Sequence, residues 1–92
     1  MEINHLNQQQ RYNLILILAL NIQTHANHFD THTPVDALVD LRTHYFITCN
    51  SEFYQAVESL NNLIQLETLN LLIDLANELK ATVIQEAFLL CK

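Results

Sequence analysis

The sequence predicts an all-α fold, a small bundle of three to four helices, from three observations. Apolar residues recur at steps of three and four through the second half of the chain, the signature of helices with one buried face. Helix-start signals stand before the periodic stretches, most clearly at Thr33-Pro34-Val35-Asp36. Glycine is absent and proline occurs once in 92 residues, so the flanks of every periodic stretch lack the residues that most often break a helix. A chain of this length is expected to form one domain over residues 1–92, since domains run from about 50 to 250 residues.

The first helix is expected from about His5 to His25, with Asn4 as its cap. Its front half is wet: Gln8, Gln9, Gln10, Arg11 and Asn13. Its back half, Leu14-Ile15-Leu16-Ile17-Leu18-Ala19-Leu20, is apolar all round. Such a run also suits a buried strand, but strong helix formers on both sides favour the helix. Apolar coverage on every face implies a central place in a bundle or a seam between subunits. From Asn27 to Thr33 the apolar content collapses apart from Phe29, which predicts a loop.

Thr33 then caps a second helix. Pro34 sits at its first position, where a missing amide costs nothing, and Asp36 lies near the positive end of the helix dipole. This helix carries Val35, Leu38, Val39, Leu41, Tyr45 and Phe46 to about Ile47. Asn50 or Ser51 caps a third, whose stripe is Phe53, Ala56, Val57, Leu60, Leu63 and Ile64. The last stretch has the strongest period, with Leu69, Leu72, Ala76, Leu79, Val83 and Leu90 on the expected inward stripe. Leu71, Ile73, Leu75, Ile84, Phe88 and Leu89 fall on other faces. Gln65-Leu66-Glu67-Thr68 contains no strong breaker, yet a turn there gives four helices of ordinary length, which is preferred over three with a very long last one.

Composition narrows the function classes. Ten Asp and Glu against four Lys and Arg give a net charge of −6, and Arg11, Arg42, Lys80 and Lys92 are scattered along the chain. A nucleic-acid groove needs several clustered cations, so direct nucleic-acid binding is not expected, nor is docking on an anionic membrane surface. The longest apolar run is seven residues, whereas a bilayer span needs about 20. No basic leader precedes an apolar stretch at the N-terminus, and Cys49 and Cys91 form no metal or redox motif. Reduced thiols and a cytoplasmic location are therefore expected. Without glycine, phosphate-cradling loops and dinucleotide turns are missing.

Few constellations suggest chemistry. His25, His28 and His32 are spaced by three and four, but they share a face only if the first helix continues through Asp30, and they match no specific zinc signature. Ordinary surface or capping histidines at a helix C-terminus are the expected reading, with a pH-responsive loop or a metal site as the alternatives. His44 and Cys49 lack an orienting third group and oxyanion donors. Asp36/Asp40 and Asp74/Glu78 are neighbours on one helix and do not face each other across a cleft. No enzyme activity, metal or cofactor is expected.

What stands out is apolar circumference. The first and last helices carry more than one short chain can cover, which predicts a homodimeric regulator or adaptor acting by protein–protein contact. The expected interface is Leu16, Ile17 and Leu20 on the first helix, with Leu69, Leu72, Ile73, Ala76, Leu79, Val83 and Phe88 on the last. An alternative is a monomeric acidic inhibitor, immunity or antitoxin-like protein that presents Glu67, Asp74, Glu78 and Glu86 to a basic site. Another is an accessory chaperone that cradles a partner's apolar helix.

Overall fold

The computed structural model describes residues 6–27, 31–44 and 49–90, except for the side chains of His44, Phe88 and Leu90. Four helices follow one another: α1 (Gln8–Ala26), α2 (Pro34–His44), α3 (Ser51–Glu58) and α4 (Gln65–Leu90). Among the described residues there is no strand, and the Leu14–Leu20 run is helical. Expectations for Asn4, His5, His28, Phe29, Asp30, Tyr45, Phe46, Ile47 and Cys91 lie outside the described residues.

Helix α1 starts at Gln8, three residues later than expected, because Asn7 and Gln10 form a reciprocal capping box. The Gln10 amide donates to Asn7 Oδ1 at 2.8 Å, and the Asn7 amide donates to Gln10 Oε1 at 2.9 Å. Two of the four free amides of the first turn are thereby satisfied within the motif. Thr33 and Asp36 repeat the device at α2: the Asp36 amide donates to Thr33 Oγ1 and the Thr33 amide to Asp36 Oδ2. Asn50 caps α3 as expected, accepting from the Phe53 amide at 2.8 Å.

The break before α4 falls earlier than Gln65–Thr68. Helix α3 ends at Glu58, and residues 59–62 form a succession of turns. The amides of Leu60, Asn61 and Leu63 each bond to a carbonyl three residues back, the tight spacing common at helix ends. Ser59 Oγ donates to the Ala56 carbonyl at 2.6 Å, which helps terminate α3. Asn61 Oδ1 accepts from the Val35 amide at the start of α2, supplying an acceptor to one of that helix's orphan donors. Gln65–Thr68 is instead the first turn of α4, with Glu67 Oε1 accepting from the Ile64 amide.

Helix α1 is central, as its apolar circumference implied: it packs against α4 on one side and α2 on the other, and α2 packs against α3. The core comprises Leu14, Ile17 and Leu18 of α1, Ala37 and Leu38 of α2, and Phe53, Ala56 and Val57 of α3, closed by Leu60 and Leu75. Asn21 and Thr68 are also buried, and every fully buried side-chain polar atom among the described residues has a hydrogen-bond partner.

The phase of α4 differs from the expected one. Thr68, Leu75 and Leu79 are buried and Leu71 and Leu72 partly so, whereas Leu69, Ala76 and Val83 of the expected inward stripe are exposed. The inward face is rotated by about 60° at 3.6 residues per turn. Leu75 and Leu79 set this phase, because the side of α4 they occupy faces the protein interior, with Leu75 part of the core.

Candidate interaction surface

Two apolar strips therefore run along α4. One lies on α1, and the other comprises outward positions that none of the other described residues covers. Leu66 is 63% exposed, Ile73 48%, Val83 49% and Ile84 58%. Between this outward strip and α1 lies an open groove of about 390 Å³, walled by Tyr12 and Ile15 on one side and by Ala76, Lys80, Val83 and Ile84 on the other, with buried Leu79 also lining it. A second depression of about 290 Å³ lies between α1 and α2, lined by Leu16, Ala19, Leu20, Gln23 and Leu41.

The structure divides the expected interface residues. Leu16, Leu69, Ile73, Ala76 and Val83 are on the surface. Ile17 and Leu79 are taken up by the chain's own interior, and Leu20 and Leu72 are half-buried against the core. The side chain of Phe88 lies outside the described residues. Tyr12, Leu66 and Ile84 belong to the exposed apolar surface, with half-buried Ile15 beside them, but none of the four was part of the expected set. Tyr12 and Ile15 fell in the transition from the wet to the apolar half of α1, where sequence periodicity gives no clear face.

The carboxylates do not make one free acidic face. Glu67 caps α4, and Glu78 Oε2 is 2.7 Å from Arg11 Nη1. The Arg11 Nε also donates to the Leu6 carbonyl, so this guanidinium ties the N-terminal segment to α4. With Glu78 largely exposed, the pair contributes at most about 1 kcal/mol. Asp74 and Glu86 are exposed, but twelve residues apart on a helix they point about 120° away from each other.

The histidines form a clasp. Helix α1 ends at Ala26, so His25 and His32 are not on one helical face, but the chain reversal brings them together. His25 Nε2 donates to the His32 carbonyl at 2.7 Å. Asn21 Nδ2 donates to the same carbonyl and to His32 Nδ1, both at 3.0 Å. With Nδ1 accepting, the proton of neutral His32 sits on Nε2, directed at Asp40 Oδ2 at 3.4 Å. Both rings hold the loop, and no group of three potential metal ligands is found among the described residues. Nor is any helix among them long and apolar enough to cross a membrane.

No known family model, curated protein or solved structure matches the chain. Its working surface has to be read from its own residues.

Proposed function

We propose that this chain acts by protein–protein contact, as a homodimeric regulator or adaptor without catalytic chemistry, through the outward strip of α4 and the adjoining part of α1. The observation that carries this is the set of half-exposed branched apolar side chains on a helix whose inward face is already packed. Leu66, Ile73, Val83 and Ile84 are each about half exposed or more, and Tyr12 and Ile15 extend their surface across the groove. Contiguous apolar area of this kind on a small protein marks an interaction site.

The acidic-inhibitor alternative is weaker, because Glu67 and Glu78 are engaged and Asp74 and Glu86 diverge. The groove favours one second reading, a cradle for a partner's amphipathic helix.

Sedimentation equilibrium on the reduced protein tests the proposal. A species at twice the 10.7 kDa chain mass is expected, and Ile73→Glu should weaken it by about 100-fold or more, because a desolvated carboxylate without a partner is strongly disfavoured. A single 10.7 kDa species at the highest attainable concentration would overturn it. Ile73 is half exposed, so the monomer fold tolerates this substitution.

A further inference from the structure

The clasp between α1 and α2 fixes where protons sit as well as where the chain runs. Asn21 Nδ2 lies 3.0 Å from both the carbonyl oxygen and Nδ1 of His32. A carbonyl only accepts, so the group of Asn21 that faces it has to be the amide nitrogen. Turning the amide over would set Asn21 Oδ1 against that carbonyl oxygen. Nδ1 of His32 is therefore held as an acceptor, without a proton. Asn21 is 4% exposed and the His32 side chain 11%, so little water is at hand to replace a lost bond.

We infer that the α1–α2 connection is a proton-operated latch, closed while His32 is neutral and released when a proton enters at Nδ1. Neutral His32 already carries a proton on Nε2, so a second one has to enter at Nδ1. There the new N–H points at the Asn21 N–H, donor against donor, and a bond of the clasp breaks. His25 behaves in the opposite way. Its Nε2 donates to the His32 carbonyl at 2.7 Å, and a second proton enters at its other nitrogen, leaving that bond in place and charge-assisted. The last turn of α1, where His25 stands, also favours a cation. Once charged, His25 repels a charge on His32.

The remaining titratable groups facing the latch come from α2. Asp40 Oδ2 lies 3.4 Å from His32 Nε2 and attracts an imidazolium, but its side chain is 59% exposed and solvent screens the attraction. The exposed Asp36 carboxylate accepts from the Thr33 amide, next along the chain from His32. His28 and Asp30 lie outside the described residues. A donor forced against a donor in a nearly closed site costs more than a screened ion pair returns.

Release has a direction in pH. Above about pH 7.5 an ordinary imidazole is neutral, and the clasp contributes in full. As pH falls, the unfolded chain takes up the proton near pH 6.5, while the closed latch resists it, so the clasp's contribution to stability is lost toward acid. His32 directly precedes Thr33, the cap of α2, so release loosens the tie between α1 and the start of α2. The latch works within one chain and does not depend on the contact proposed above.

The test compares the unaltered chain with His32→Asn, whose Oδ1 stands in for Nδ1 as an acceptor and takes up no proton. Folding constants are measured by urea unfolding at pH 7.5 and pH 5.5, at one fixed low protein concentration. Between these values the constant of the unaltered chain should fall about five- to ten-fold more than that of the variant, since an ordinary imidazole is about ten to one protonated at the lower pH. Equal falls would overturn the latch, and so would a smaller fall in the unaltered chain, which would mean that Asp40 prevails. Nitrogen-15 NMR of the histidine rings decides the matter even if the variant does not fold. His32 should carry its proton on Nε2 at pH 7.5, and on acidification the Asn21 side-chain amide signals should move with the same midpoint as the His32 ring. A proton on Nδ1 at pH 7.5, or a His32 ring that charges while the Asn21 signals stay still, would overturn the inference.

Discussion

Replacing Asn21 with alanine isolates the clasp that fixes the α1–α2 connection. Asn21 is 4% exposed, and its amide donates to both the carbonyl and Nδ1 of His32. Two hydrogen bonds at about 0.5–1.5 kcal/mol each are lost. The His32 carbonyl keeps its bond from His25, but Nδ1 of a ring only 11% exposed loses its donor, which places the loss toward the upper end, about 2–3 kcal/mol. Alanine's better helix propensity offsets about 0.5 kcal/mol. The net destabilisation is about 1.5–2.5 kcal/mol, or a fall in Tm of about 8–13 °C for a chain of this length. Urea unfolding followed by far-UV circular dichroism at one fixed protein concentration measures it, since association shifts the midpoint. Gln23→Ala, exposed on the same helix, is the control and should change stability by less than about 0.5 kcal/mol. An Asn21→Ala loss no larger than the control's would falsify the assignment of the clasp as a stabilising element.

Two further outcomes follow from the packing. Leu75→Ala should cost about 2–4 kcal/mol as a buried truncation, whereas Leu66→Ala, measured at a concentration low enough to keep the chain monomeric, should stay within about 0.5 kcal/mol; equal costs would mean that the phase of α4 is misassigned. Thr33→Ala and Asn50→Ala should each lower stability by about 1 kcal/mol through loss of a helix cap, read as urea midpoints, and neutrality at either site would show that its cap hydrogen bond contributes nothing.

How much of this was legible in the residues depended on how local each signal was. Thr33-Pro34-Val35-Asp36 and Asn50 announced their helix starts because capping is a contact over three residues, and both formed as read. The start of α1 was misplaced because Asn4 and Asn7 are both competent caps, and only Asn7 has a glutamine three residues on to close the box. The α3–α4 break was misplaced for a tertiary reason. Ser59 and Asn61 are ordinary helix-surface residues until Asn61 reaches the start of α2, 26 residues away. On α4 two overlapping apolar strips, each in threes and fours, blur into one period, and only packing against α1 separates them. The histidine spacing could give one helical face only if α1 ran on through Asp30; the pairing of His25 with His32 came instead from chain reversal, which no periodicity encodes.

The length of α4 carries a consequence of its own. Its 26 residues span about 39 Å, while the 19 residues of α1 span about 28 Å. Leu79 is its last described buried side chain and Thr82 its last half-buried one; the described side chains beyond Thr82 are exposed, and this end of α4 resembles a beam. A stretch that short holds its helical hydrogen bonds only marginally by itself. Amide protons there exchange with solvent according to whether the beam is braced from outside, which makes the tip of α4 a natural gauge of occupancy for the whole molecule.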